Sequence, residues 1–168
     1  MFESDLAAIE QKYAFELDEY QKNAIEQGIN NGIFLLTGGP GTGKTTIIRA
    51  LIEFFYNSDY DVVLAAPTGR AAKRMQEATG FEAKTLHRLL EAGPVSNDRD
   101  KDRFNRNEDN MLEADVYIVD EMSMVDVFLF TAFLKAIPVG SRVILVGDMN
   151  QLPSVGPGNI FKDLLESK

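Results

Sequence analysis

The chain has 168 residues, 45% of them hydrophobic, with 26 acidic against 17 basic side chains, a net charge of -9 and no cysteine. That length suits one core and leaves no room for a second large domain, the charge excludes a uniformly basic nucleic-acid binder, and the missing cysteines exclude disulfides and thiolate metal sites. The acidic start MFESDLAAIE is unlike an export signal, and the most apolar helical stretch, VDVFLFTAFLKAIPV at 125–139, is broken by Asp126 and Lys135. It falls short of the roughly 18–20 residues of a membrane span, so a soluble, cytoplasmic protein is expected.

In chain order, the first helical pattern runs over 18–29, within an N-terminal helical segment taken as residues 1–30. Four short runs then follow, Ile33 to Leu36, Val62 to Ala66, Val116 to Val119 and Val143 to Val146. They are continuously apolar and rich in β-branched residues, the pattern of strands covered on both faces. Helical patterns lie between and after them at 44–56, 69–79, 85–91, 125–137 and 158–166. Strands alternating with helices predict an α/β domain over 31–168, a parallel sheet with helices on both faces and ligands beyond the carboxyl ends of its strands. Residues 93–110, GPVSNDRDKDRFNRNEDN, are polar and longer than an ordinary connection, so they read as a solvated insertion or a mobile hairpin.

Each strand is followed by a polar cluster: TGGPGTGKT, PTGR, DEMS and GDMNQ in turn. In a parallel sheet these four clusters share one edge. The first matches G-x-x-x-x-G-K-[ST] through Gly38, Gly43, Lys44 and Thr45, after a strand and at the opening of a helix, which is the context a phosphate loop requires. Its backbone, from Gly39, Pro40, Gly41, Thr42 and Gly43 into Thr46, would turn N–H groups around phosphate oxygens at a helix N-terminus. Lys44 would meet the β- and γ-phosphates of ATP and the Thr45 hydroxyl would ligate Mg2+. A glycine-rich turn that only caps the helix is the plainer alternative, whereas a dinucleotide loop would need glycine where Thr46 stands.

Asp120 ends the third run, where the magnesium-holding carboxylate of a phosphate-loop enzyme belongs. Glu121 follows it and is placed to act as general base on the attacking water. The alternative is a surface acid beside a capping pattern made by Ser123 and Asp126. From Pro67 to Leu90, Arg70, Lys73, Arg74, Lys84 and Arg88 stand against Glu77 and Glu82, a local +3 in an acidic protein. That asymmetry calls for an anionic partner.

With these residues assembled, the chain resembles the first RecA-like motor domain of a superfamily 1B DNA helicase of the RecD-like and TraA-like group, from about Phe15 to Leu165. The motifs that carry the resemblance are FELDEYQKNAI, LLTGGPGTGKTT, APTGRAAKRM, TLHRLL, VDEMSMVD and VGDMNQLPSVGPGN. It implies that Gln21 reads adenine, although Asp18 and Gln21 also have the spacing of a helix cap and its return partner. It implies single-strand contacts by Thr68, Gly69, Arg70 and Lys73, with Thr68 doubling as a helix cap, and by Thr85 and His87, although a lone histidine is as readily a packing residue. It sets the 143–146 strand between the phosphate-loop strand and the Asp120 strand, so that Gln151 emerges beside the γ-phosphate. An amide can both donate to a phosphate oxygen and accept from water, which suits a sensor; a loop amide bonding its own backbone is the plainer reading.

The resemblance implies a 5′ to 3′ motor with ATP and Mg2+ as cofactors and single-stranded DNA as partner. A second RecA-like domain of the same full-length protein carries the arginine finger, and helicase–nuclease subunits are the wider partners. Nothing after Lys168 supplies that second domain, so the expectation for this chain alone is weak binding and slow hydrolysis. Two rivals explain the phosphate loop without the +3 window: a nucleotide-dependent switch, and an AAA+ assembly ATPase.

Overall fold

The computed structural model describes residues 2–38, 43–93, 104–148, 163, 164, 166 and 167. In chain order its elements are α1 (Phe2–Tyr13), α2 (Glu19–Asn30), β1 (Ile33–Thr37), α3 (Lys44–Asn57), β2 (Val62–Ala66) and α4 (Gly69–Thr79). There follow β3 (Ala83–Thr85), α5 (Leu86–Leu89), β4 (Val116–Val119), a 3-10 turn (Met122–Met124), α6 (Val127–Ala136) and β5 (Arg142–Gly147). The five strands form one sheet in the order β1-β5-β4-β2-β3, and every pairing is parallel.

Alternation along the strands divides the core between two faces. Leu36, Leu64, Val116, Ile118, Ile144 and Val146 point to the side packed by α1, α2 and α3. Tyr117, Val119, Val143 and Leu145 point to the other, where Leu86 and Leu89 of α5 and Leu129, Phe130 and Phe133 of α6 close over them. Burying each such side chain contributes about 1.5–3 kcal/mol, which explains why all four central apolar runs form strands. Helices on both faces of a parallel sheet are the expected architecture. Among the described residues no helix is long and apolar enough to cross a membrane.

Helix α1 brings more than apolar cover. Leu6 and Ile9 join the core beside α3, and Lys12 reaches both carboxylate oxygens of Glu53 at 3.0 Å while the Tyr13 hydroxyl donates to the same group. The Arg49 guanidinium lies over the Tyr13 ring at 4.2 Å. Burial alone would push the Glu53 carboxyl up, but the hydrogen bonds from Tyr13 and Lys12 outweigh it and hold it below the usual range. A depressed carboxyl supports the fold above its unfolded value of 4.5 and loses that support as pH falls through the folded value. Glu53→Ala should therefore cost about 1–3 kcal/mol at neutral pH and flatten the acid limb of the stability profile, read as melting temperature against pH. Equal losses at pH 7 and pH 3 would refute this linkage.

Three elements depart from the sequence-based expectation. Helix α1 lies ahead of the predicted 18–29 helix because Phe2, Leu6, Ile9 and Tyr13 form one apolar stripe onto α3. Strand β3 has only three residues and no apolar run, and it exists because Leu64, Ala65 and Ala66 offer it a paired edge. The predicted 85–91 helix shortens to Leu86–Leu89, with Thr85 in the strand and capping it and Glu91 turning left-handed beyond it. Within the predicted insertion, Phe104 bridges Ala92 in antiparallel fashion, and Arg106 meets Glu91 at 3.4 Å. Of the 158–166 helix, residues 163, 164 and 166 are helical and the rest lies outside the described residues.

Candidate functional site

The site grows from the carboxyl ends of β1, β4 and β2. Past β1, Gly39, Pro40, Gly41 and Thr42 lie outside the described residues, and the chain resumes at Gly43, which caps α3 with φ 79°. Glycine suits this position on one firm ground, the backbone, and one softer one, the Gln21 amide that a side chain would displace. The left-handed backbone disfavours any side chain, and an added Cβ would run into the Gln21 amide nitrogen, which would have to move. Lys44 and Thr46 are half-buried in the first turn of α3, and Thr45 is exposed between them.

Gln21 reaches this loop because of how α2 begins. Asp18 caps the helix, accepting from Gln21 N–H at 2.7 Å, while Gln21 Oε1 accepts from Asp18 N–H at 3.0 Å. The capping alternative is thus real, and it orients the amide instead of competing with a role at the loop. With its oxygen committed to Asp18, the amide nitrogen faces Gly43.

Asp120 continues the ladder one residue past β4, its N–H donating to Ala65 O at 3.0 Å. Burial pushes its carboxyl up, opposed by the Glu121 N–H donating to Oδ1 at 2.7 Å and by the charges of Lys44 and Arg74. Glu121 sits at φ 55°, ψ 40°, left-handed for a residue with a Cβ. Such conformations cost of order 1–3 kcal/mol and gather at functional sites. Burial, then Asp120, push its carboxyl up, Arg74 and Lys44 pull it down, and Asp148 adds to the upward push. Lys44 is thus close enough for its charge to be felt by both acids, which places the start of α3 beside the acid pair. Asp126 caps α6 through Leu129 N–H at 2.8 Å, with Ser123 buried in the preceding turn. Of the predicted capping pair, Asp126 is the cap, and that cap coexists with the inward placing of Glu121.

Past the end of β2, which pairs with β4, Thr68 caps α4 by accepting from Ala71 N–H at 3.1 Å. Gly69, Arg70 and Lys73 are exposed along its first turns. Thr85 caps α5 through Arg88 N–H at 3.1 Å, and the His87 ring packs 6.0 Å from Phe104, so part of its surface serves packing. Phe81, from the same window, packs against the core. The phosphate-loop candidates lie beyond β1 and β4 and the strand-contact candidates beyond β2 and β3, up to four strand spacings or about 19 Å apart along the edge.

Gln151 lies outside the described residues, although β5 does run between β1 and β4. Two residues beside the acid pair carried no role in the sequence reading. Asp148, 4% exposed at the end of β5, adds negative charge near Glu121, and Arg74 of α4 approaches Glu121 at 4.0 Å. The signals for both were present: Asp148 stands in the strand-end cluster GDMNQ, and Arg74 is one helical turn past Arg70. Among the described residues no group of three or more His, Cys, Asp or Glu is placed to hold a metal alone. A phosphate-loop magnesium needs no such cage, since it is held by one hydroxyl, one carboxylate, nucleotide oxygens and water.

Residues 21–157 match the family described as AAA domain. The ATP-dependent RecD2 DNA helicase of Deinococcus radiodurans is 41% identical over 151 residues, covering 90% of this chain and 20% of that protein. The RecBCD enzyme subunit RecD of Mycolicibacterium smegmatis is 38% identical over 171 residues, covering 88% and 30%. The chain thus spans less than a third of the length of either relative. Among solved structures, one of two coordinating Pif1 helicases at forked dsDNA superposes with a TM-score of 0.61 at 28% identity, covering 90% of this chain and 38% of that one. Bacteroides Pif1 bound to ssDNA gives a TM-score of 0.55 at 26% identity, covering 90% and 36%. With the phosphate-loop helix and the Asp120–Glu121 pair on one edge of a parallel sheet, the chain belongs to the AAA domain family and is RecD-like within it.

Proposed function

We propose that this chain is the ATP-hydrolysing half of a 5′ to 3′ DNA helicase motor, gripping single-stranded DNA beside its nucleotide site. The observation that carries the reading is that the Lys44 end of α3 and the Asp120–Glu121 pair stand on one edge of the sheet while α4, with its exposed cations, opens from the neighbouring strand. ATP suits these residues: Gln21 would read the base, the backbone of residues 39–43 and Lys44 would hold the phosphates, and Thr46 would extend the cradle. Magnesium would be held by Thr45 and Asp120, a half-buried acid whose charge a cation would relieve. Bound there, the metal neutralises charge developing on the transferred phosphoryl group. Glu121 takes the proton from the attacking water, and Gln151 registers the γ-phosphate.

Thr68, Gly69, Arg70 and Lys73, continued by Thr85 and His87, would follow the strand's phosphates. Because the related helicases are far longer, the proposal includes a second RecA-like domain of the same polypeptide that supplies an arginine finger, worth roughly 10³–10⁵ in rate where it acts. Helicase–nuclease subunits are partners in the RecD-like case, and the cytoplasm is the expected compartment.

The deciding measurement is oligonucleotide binding across a salt series. Affinity for an oligo(dT) should fall steeply with salt, and Arg70→Ala with Lys73→Ala should flatten the logarithmic slope by about one unit per lost phosphate contact. Both side chains are exposed, so the melting temperature should stay put. Binding indifferent to salt and to both substitutions would favour a nucleotide switch instead.

A further inference from the structure

Glu121 is held by more than its own backbone. Its Oε1 lies 4.0 Å from Arg74 Nη2, with the two side chains 20% and 64% exposed. At that distance the pair is electrostatic and not a hydrogen bond. Two other acids act on the same carboxylate, Asp120 beside it and Asp148 from β5, and the cations that oppose them are Arg74 and Lys44. In a loaded phosphate loop Lys44 faces the phosphates, which leaves Arg74 as the cation free to set where the Glu121 carboxylate points. Arg74 is also one helical turn beyond Arg70, on the helix that Thr68 caps. Its neighbour Lys73 already has an acid, Glu77, at 4.0 Å.

We propose that Arg74 is a positioning residue for hydrolysis: it draws the Glu121 carboxylate toward α4 when no strand is bound, and releases it when a nucleic-acid phosphate on α4 takes the guanidinium. This rests on the hydrolytic reading above. The exchange is chemically even, because a phosphodiester offers Arg74 the same anionic oxygens, in the two-pronged geometry that a guanidinium matches well. The pair is long and half-open to solvent, hence weak and easily exchanged. The left-handed backbone at Glu121 adds to the case, since it marks a residue held away from its relaxed conformation. Strand occupancy would thus reach the nucleotide through one side chain, without any movement of the sheet.

The test is steady-state ATP hydrolysis by the full-length polypeptide carrying this sequence, with and without oligo(dT), for the parent, Arg74→Gln and Arg74→Lys. An exposed ion pair sets the scale. Arg74→Gln should raise the strand-free kcat by about two- to fivefold with KM for ATP unchanged. It should leave the strand-saturated kcat near the parent's, so the stimulation ratio falls by the same factor; Arg74→Lys should restore most of it. An unchanged ratio, or equal losses with and without strand, would overturn the latch while leaving the hydrolytic reading intact. A parent protein that oligo(dT) does not stimulate would overturn that reading itself, and the latch with it.

Discussion

Glu121→Gln is expected to lower ATP hydrolysis by on the order of 10²–10⁴-fold, the usual worth of a positioned general base, while nucleotide binding survives. The amide keeps the shape of the side chain and loses only the proton acceptor. Its surroundings sharpen the prediction, because Asp120 and Asp148 both push the Glu121 carboxyl up, and removing one of three neighbouring negative charges eases repulsion in the apo protein. Affinity for a fluorescent ATP analogue should therefore hold or improve, and the melting temperature should hold or rise. A variant that lost activity by misfolding would show the reverse on both counts. Retention of near-parental hydrolysis would remove Glu121 from the base role, whatever the affinity did.

Lys44→Ala should behave differently. It removes the cation that acts on both Asp120 and Glu121 and that would meet the transferred phosphate. Losing one such preorganised charge costs on the order of 10²–10³-fold in rate, and because Lys44 would also hold the ground-state phosphates, nucleotide affinity should fall with it. Without Lys44 the two acids lose a compensating charge, so their carboxyls should rise further; bound nucleotide should then protect the variant against thermal unfolding less than it protects the parent. The pair of variants separates the roles: Glu121→Gln binds and does not turn over, whereas Lys44→Ala does neither. Equal affinities for the two would contradict the placement of Lys44 at the phosphates.

The acid pair and the phosphate-loop helix were legible because each follows an apolar run whose composition already demanded burial on both faces. Gln21 was half legible. Cap spacing and adenine reading looked like alternatives in the sequence, and the fold shows the first: the reciprocal cap with Asp18 is formed, and it turns the amide nitrogen toward Gly43. Strand β3 was missed, and helix α1 was left undivided within the 1–30 helical segment, for opposite reasons. Residues 83–85 carry no strand pattern of their own and adopt one only on the free edge of β2. Helix α1 is patterned, but its worth depends on α3, where Glu53 and the core receive it.

By itself the sequence determined the α/β class, the positions of four of the five strands and the polar clusters at their ends, because burial periodicity and loop composition are local properties that each segment carries along the chain. The place of β5 between β1 and β4 was implied only by resemblance, and the structure bears it out. Which loops meet is decided by non-local pairing such as Ile33 with Val143 and Val119 with Leu145, and no segment encodes that alone. That pairing brings Asp148 from β5 and Arg74 from α4 to Glu121. The identity of the acids was therefore written in the chain, but their strength and orientation belong to the assembled sheet, since charge interactions depend on distance through space and not along the sequence.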